Sequence, residues 1–71
     1  MPANIRLRFG QCLRALRVRK GWTQVELADY LVLDRGYISN IERGQRNITL
    51  ETVQIMAQGF AFTISQLLRG L

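Results

Sequence analysis

The sequence predicts a compact all-α domain of five short helices. Apolar residues recur at steps of three and four along most of the chain, which is the spacing of one helix face, whereas no useful length has the alternating pattern of a strand. Residues that commonly begin and end helices divide this pattern into short segments. A length of 71 residues and a hydrophobic content of 48% suffice for one small core, so we expect a single domain over residues 1–71.

The first helix is predicted over about residues 4–20. Gly21 is expected to end it, because glycine readily adopts the left-handed conformation that follows a helix. The apolar positions follow at steps of four, four and three and form one stripe of an amphipathic helix: Ile5, Phe9, Leu13 and Leu16.

The second and third helices are predicted over about residues 24–31 and 35–43. Thr23 and Glu26 have the spacing of a capping box, in which each side chain accepts a hydrogen bond from the other residue's backbone. Asp34 is a good cap for the third helix, and Gly44 is expected to end it.

The fourth and fifth helices begin after a polar loop over residues 45–48. Thr49 is expected to cap the fourth helix, and Thr63 with Gln66 forms a second capping box that starts a short fifth helix. The apolar positions of these two helices are Leu50, Val53, Met56, Ala57, Phe60, Ile64, Leu67 and Leu68.

Composition excludes several classes of protein. Ten basic against five acidic residues give a net charge of +5, which favours a polyanionic partner, and six of the basic residues lie in the first twenty positions. Without histidine and with Cys12 as the lone cysteine, interpreted as a small core residue, we expect neither metal nor cofactor. The chain has no apolar run of membrane-spanning length and no signal-peptide pattern. We therefore expect a cytoplasmic protein, and no small-molecule ligand is evident.

Residues 24–43 have the pattern of two short helices that meet at a steep angle across a turn. Such a pair needs a small residue where the backbones come closest, here Ala28, with branched apolar residues above and below it. The motifs TQVELA, IERG and, after a polar loop, LET stand at spacings that resemble the lambda-repressor and Cro helix-turn-helix family, also called the XRE family. Within it, LDRGYISNIERGQRN is similar to the controller proteins of restriction-modification systems.

The resemblance implies that the third helix enters the major groove of DNA. Arg35 is the main candidate for base recognition, because its guanidinium matches O6 and N7 of guanine. Tyr37 would contact a thymine methyl group or a phosphate, or else only cover the edge of the core. The residues predicted to face bases are Arg35, Gly36, Tyr37 and Ser39. Those predicted to bind phosphates are Gln24, Asn40, Arg43, Arg46 and Asn47, although such a polar face can also be a merely solvated surface.

Other charged residues are interpreted as structural or solvated. The resemblance implies a partly buried salt bridge between Arg17 and Glu42 that joins the first helix to the third. The remaining arginines of the first helix are expected to face solvent and to attract DNA only at long range: Arg6, Arg8, Arg14 and Arg19.

Three positions depart from the family pattern. Val32 stands in the turn where the family usually has glycine, and we predict that it avoids positive φ, since a β-branched residue is strained there. Ala61 replaces a glycine that often ends the fourth helix, and with Gly59 two residues earlier we expect that helix to end early. Gly36 replaces a side chain at the start of the recognition helix, so that either one base fewer is recognised or the helix sits closer to DNA.

The apolar residues near the C-terminal end are more than one short helix can bury. The candidates for a homodimer interface, which short family members also imply, are Phe62, Ile64, Leu67 and Leu68; the alternative is that they only close the monomer core. A two-fold dimer would place two recognition helices about 34 Å apart on an inverted repeat.

The favoured function is a sequence-specific regulator of transcription that binds double-stranded DNA, with RNA polymerase as a further candidate partner. The alternative is a protein-interaction module, such as an antitoxin or adaptor, that retains the fold. A membrane-surface peptide is disfavoured because the basic residues spread around the first helix. An enzyme is disfavoured because histidine, grouped carboxylates and a phosphate-binding glycine loop are all missing from the sequence.

Overall fold

Residues 4–69 are the part of the chain that the structure, a computed structural model, describes. Within this range there are five helices and no strand, which confirms the predicted all-α class. α3 packs against both α1 and α2, α2 also packs against α4, and α4 packs against α5. The helices are α1 (Ile5–Arg19), α2 (Gln24–Leu31), α3 (Arg35–Glu42), α4 (Leu50–Gly59) and α5 (Ile64–Leu67).

Each helix begins at a polar side chain that accepts a hydrogen bond from the free backbone amides of the first turn. The predicted capping box at α2 is present, with Thr23 Oγ1 3.1 Å from the Glu26 amide and Glu26 Oε1 2.8 Å from the Thr23 amide. The second box, between Thr63 and Gln66, is also present. The capping residues are Asn4, Thr23, Asp34, Thr49 and Thr63.

The core lies between the helices and contains most of the residues predicted from the apolar spacing, but the prediction is wrong for Ile5, Leu50 and Ile64, which are exposed. Its buried members are Phe9, Leu13, Leu27, Ala28, Leu31, Ile38, Ile41, Val53, Met56, Ala57, Phe60 and Leu67. Gly10 explains how α1 approaches α3 so closely, because a Cβ atom there would collide with the carbonyl oxygen of Ile41 and lie 2.7 Å from that of Glu42. Glycine at this position therefore allows the contact that carries the ion pair described below.

The prediction that Val32 avoids positive φ is wrong: its φ is 59° and its ψ is 47°. The Val32 amide donates to the Asp29 carbonyl and the Leu33 amide donates to the Ala28 carbonyl at 2.8 Å, the pair of bonds that closes a Schellman motif. Leu33 packs against the core directly after the turn. Two backbone hydrogen bonds and the burial of Leu33 outweigh a local strain of about 1–2 kcal/mol.

The expectation that α4 ends early is also wrong. α4 runs through Gly59, and Ala61 itself takes the left-handed conformation, with φ of 60° and the Phe62 amide bonded to the Ala57 carbonyl at 2.8 Å. Gly59 serves close packing instead, since a Cβ atom there would collide with the side chain of Leu31 on α2.

Candidate nucleic-acid interface

The outer face of α3 is polar, and its inner face packs Ile38 and Ile41 into the core. Arg35 and Gly36 are exposed in the first turn, while Ser39 is half-buried one turn further on. The Asp34 carboxylate fixes the start of the helix by accepting the Tyr37 amide at 3.1 Å. Arg35 is thus the long cationic side chain among the residues predicted to face bases.

Gly36 lies against the cap of its own helix. A Cβ atom at this position would lie 2.8 Å from Asp34 Oδ2, in the space that the capping carboxylate occupies. Glycine here therefore leaves room for the cap as well as removing a side chain from the outer face of α3.

Tyr37 is a connection between α3 and α4. Its ring is partly buried against the core, and its hydroxyl lies 3.1 Å from Thr52 Oγ1. The guanidinium carbon of Arg46 lies 5.1 Å from the ring centroid, in cation–π geometry. The ring does cover the edge of the core, as the second interpretation of this residue had it, and it also supports Arg46 on the same side as α3.

Four of the five predicted phosphate-binding residues form two pairs along the chain. Asn40 and Arg43 lie at the end of α3, where Asn40 Oδ1 accepts a hydrogen bond from Arg43 Nη2 at 2.6 Å. Arg46 and Asn47 are exposed in the loop over residues 45–49 that follows α3. The fifth, Gln24, belongs to neither pair and is the first residue of α2.

The predicted ion pair between Arg17 and Glu42 is present and joins α1 to α3. Arg17 Nε lies 2.7 Å from Glu42 Oε2 and Nη2 lies 3.1 Å from Oε1, a two-point contact, with exposed side-chain fractions of 12% and 4%. Arg17 Nη1 also donates to the Trp22 carbonyl at 2.8 Å. The pair therefore fixes the entry to α2 as well as the end of α3.

Gln24 has a partner that the sequence did not indicate. Its side-chain amide donates to Glu42 Oε1 at 3.1 Å, so that it joins the ion pair in place of pointing freely outward. These side chains border a cleft of about 170 Å³ between α1, the start of α2 and the end of α3. Its lining residues are Arg14, Arg17, Gln24, Glu42 and Arg43. Arg14, interpreted from the sequence as a solvated residue, lies here among the predicted phosphate-binding residues.

The predicted dimer residues do not form one surface. Leu67 is only 2% exposed and belongs to the monomer core, so its assignment to an intermolecular interface is corrected. The ring of Phe62 stacks on that of Phe60, with 6.4 Å between the ring centroids. Phe62 is 36% exposed and Ile64 is 39% exposed. Leu68 lines an apolar groove whose other residues are Ile5, Arg6, Phe9, Ile48, Leu50 and Val53.

Among residues 4–69, no group of three histidine, cysteine or acidic side chains is placed to hold a metal ion. None of the helices in the described part of the chain combines the length and apolar character needed to cross a bilayer.

Two helices joined by a tight turn, with a polar outer face on the second, define the class of helix-turn-helix domains. A family model described as helix-turn-helix matches residues 13–67, and the chain belongs to this family.

Relatives and solved structures agree with this membership. The chain is 41% identical over 69 residues to control protein C.BamHI of Bacillus amyloliquefaciens, covering 96% of this chain and 85% of that protein. Restriction-modification controller protein C.AhdI from Aeromonas hydrophila has a TM-score of 0.81 and 40% identity, over 87% of this chain and 94% of that one. The structure of controller protein C.Esp1396I as a tetramer in complex with its natural 35-base-pair operator has a TM-score of 0.82 and 29% identity, and the match covers 97% of this chain and 90% of that one. The chain spans about half the length of two other curated relatives: the match covers 53% of one protein and 54% of the other.

Proposed function

We propose that this protein is a sequence-specific regulator of transcription that binds double-stranded DNA as a homodimer, and that it is the controller of a restriction-modification system. The observation that carries the proposal is the exposed outer face of α3, with Arg35 in its first turn and Arg43 at its end. The similarity to proteins named as controllers supports it. The alternative of a protein-interaction module is not favoured by these relatives.

In this proposal α3 lies in the major groove with its N-terminal turn against the bases. Arg35 donates two hydrogen bonds to a guanine, and Ser39 and Tyr37 contact the neighbouring positions. The backbone phosphates on either side are bound by Gln24, Asn40, Arg43, Arg46 and Asn47, which position the helix without reading sequence.

Regulation follows from occupancy of the site in the cytoplasm. A bound dimer excludes RNA polymerase where its operator overlaps a promoter, and it offers a surface to polymerase where the operator lies upstream. Both outcomes need a defined operator, so sequence-specific binding is the property to test first.

Selection of bound sequences from random duplex DNA tests the proposed function. We expect enrichment of sites with dyad symmetry, whose half-sites are separated by about one helical turn, 10–10.5 base pairs from centre to centre. Enrichment of a single half-site would argue against the dimer, and the absence of any enrichment would contradict sequence-specific binding.

The dimer interface is proposed at the apolar groove beside α5. Leu68, Ile48 and Leu50 line this groove, and Leu50 is 79% exposed, which leaves a large apolar side chain in water. Ile64 lies one helical turn before Leu68 and is exposed, although it does not line the groove. Ile48 belongs to the loop that follows α3, so the proposed interface adjoins the loop that carries Arg46 and Asn47.

Replacing Leu50 by glutamate is expected to dissociate this dimer. The side chain is too exposed to stabilise the monomer, but a carboxylate buried in the interface would lose its hydration, a cost that pairing with Arg6 of the same groove would offset only in part. We expect the dimer dissociation constant, measured by sedimentation equilibrium, to rise by at least about thirtyfold, the effect of a central interface residue. Val18→Glu is the matched control, since Val18 is 58% exposed and lies outside the groove. An unchanged dimer in Leu50→Glu would place the interface elsewhere.

A further inference from the structure

Arg14 lies in the cleft between α1, the start of α2 and the end of α3, where three guanidinium groups, from Arg14, Arg17 and Arg43, line the same space as one carboxylate, that of Glu42. Such a concentration of like charge at one opening favours an anion. The cleft is formed by residues from three helices, so neither the sequence motif nor any single helix face reveals it.

The carboxylate of the cleft is already neutralised. Both oxygens of Glu42 accept hydrogen bonds from Arg17, at 2.7 and 3.1 Å, so one of the three guanidinium groups is accounted for. Arg43 is bonded to the neutral amide oxygen of Asn40, which leaves its charge uncompensated by that contact. The excess positive charge of the cleft therefore comes from Arg14 and Arg43, which both line it.

Gln24 stands at the edge of this space and can change partners. Its amide donates to Glu42 Oε1, an oxygen that also accepts a bond from Arg17 Nη2. If the Gln24 amide turned away, Glu42 would keep both of its bonds to Arg17 and would not be left as an unpaired buried charge. A ligand in the cleft can thus recruit Gln24 without breaking the ion pair.

We propose that this cleft is a binding site for a phosphodiester of the DNA backbone, in which Arg14 and Arg43 hold the phosphate and Gln24 transfers its hydrogen bond from Glu42 to it. The inference rests on the proposed DNA binding, and it adds to that function a contact from α1. Because the contact is to the backbone, Arg14 contributes affinity and orientation and no base preference.

The test compares Arg14→Gln with Arg19→Gln in the full chain. Both variants remove one positive charge from exposed positions of α1, but five residues correspond to a rotation of about 140° around the helix, which turns Arg19 away from the cleft. Binding to the selected duplex and to an unrelated duplex is followed by fluorescence anisotropy over a range of salt concentrations. Circular dichroism verifies that both variants fold.

The expected result is a difference in salt dependence. Loss of one phosphate contact in each of two subunits reduces the magnitude of the slope of log K against log salt by about 2 for Arg14→Gln, with the same loss of affinity for both duplexes. Arg19→Gln should change the slope much less. Equal effects of the two substitutions would overturn the Arg14 site, while salt-dependent, selective binding by the wild type would still support the proposed function. A different result would overturn that function itself: wild-type protein that binds both duplexes alike and whose binding does not depend on salt.

A second measurement separates a DNA phosphate from a free anion. Inorganic phosphate is titrated into the wild-type protein while the side-chain amide resonances of Gln24 are followed by NMR, and the same titration is repeated with the selected duplex. We expect the duplex to shift these resonances in the wild type but not in Arg14→Gln. A shift with inorganic phosphate at millimolar concentration and none with the duplex would make the cleft a site for free anions and overturn the assignment to DNA.

Discussion

Replacing Arg35 by alanine is expected to remove base discrimination at one position of each half-site and to weaken binding to the selected operator by about 1–3 kcal/mol per half-site, on the order of tenfold to a hundredfold. Arg35 is exposed in the first turn of α3, so its removal should leave the core intact. Its neighbour Gly36 offers no side chain, and Tyr37 is held by Thr52. Discrimination at the start of the helix therefore depends mainly on one guanidinium group.

The measurement compares two duplexes, the selected operator and the same operator with one guanine–cytosine pair of each half-site replaced. Wild-type protein should distinguish them, and Arg35→Ala should bind both alike. Arg46→Ala is the matched control, because this exposed arginine lies in the loop after α3 and is assigned to a phosphate. Its loss should weaken binding to both duplexes by the same factor. If Arg35→Ala kept the discrimination of the wild type, Arg35 would bind the backbone and another residue would read the base.

The helices could be predicted from the sequence because their signals are local. A capping box needs only the backbone of one turn, so Thr23 with Glu26 and Thr63 with Gln66 could be identified from a spacing of three residues. Turns depend on more distant structure. The left-handed conformation of Val32 follows from where Leu33 must pack, and a preference for glycine at that position says nothing about that burial.

The limits of the prediction at the candidate site have the same origin. The apolar pattern near the C-terminal end could not distinguish Leu67, which faces the core, from Leu68, which lines the groove. Similarly, the bond between Gln24 and Glu42 joins residues 18 positions apart and depends on the angle at which α2 meets α3. Contacts of this kind appear only once helices are placed relative to each other.

The charge distribution is more informative on the structure than along the chain. Six of the ten basic residues lie among the first twenty positions. One of them, Arg17, is paired with Glu42 and is structural. Arg14 lines the cleft as well, together with Gln24 and Arg43, and is not the partner of Glu42. The proposed DNA-binding surface thus combines α3, the loop after it, the start of α2 and a single position of α1.

Replacing Glu42 by alanine is expected to lower the free energy of unfolding by about 3–5 kcal/mol, because Arg17 would keep its buried charge without a partner. The side chains are only 4% and 12% exposed, so water compensates little. A domain of this size seldom obtains more than about 3–5 kcal/mol from its core, and the variant should be largely unfolded at room temperature. Urea denaturation followed by circular dichroism in the cold, where a folded baseline is more readily reached, measures the loss.

The double variant Arg17→Met with Glu42→Met distinguishes a broken ion pair from a lost side chain. If the single substitution acts by stranding a charge, removing both charges and keeping apolar volume should restore much of the stability, and the double variant should be more stable than Glu42→Ala. A loss below about 1 kcal/mol in Glu42→Ala would instead be the value of a solvated surface pair and would contradict its structural role. The double variant should also retain less DNA affinity than its stability predicts, since it removes the positive charge of Arg17 from the cleft and the carboxylate that positions Gln24 there. Stability and binding therefore depend on the same three side chains, where α1 meets α3 beneath the start of α2.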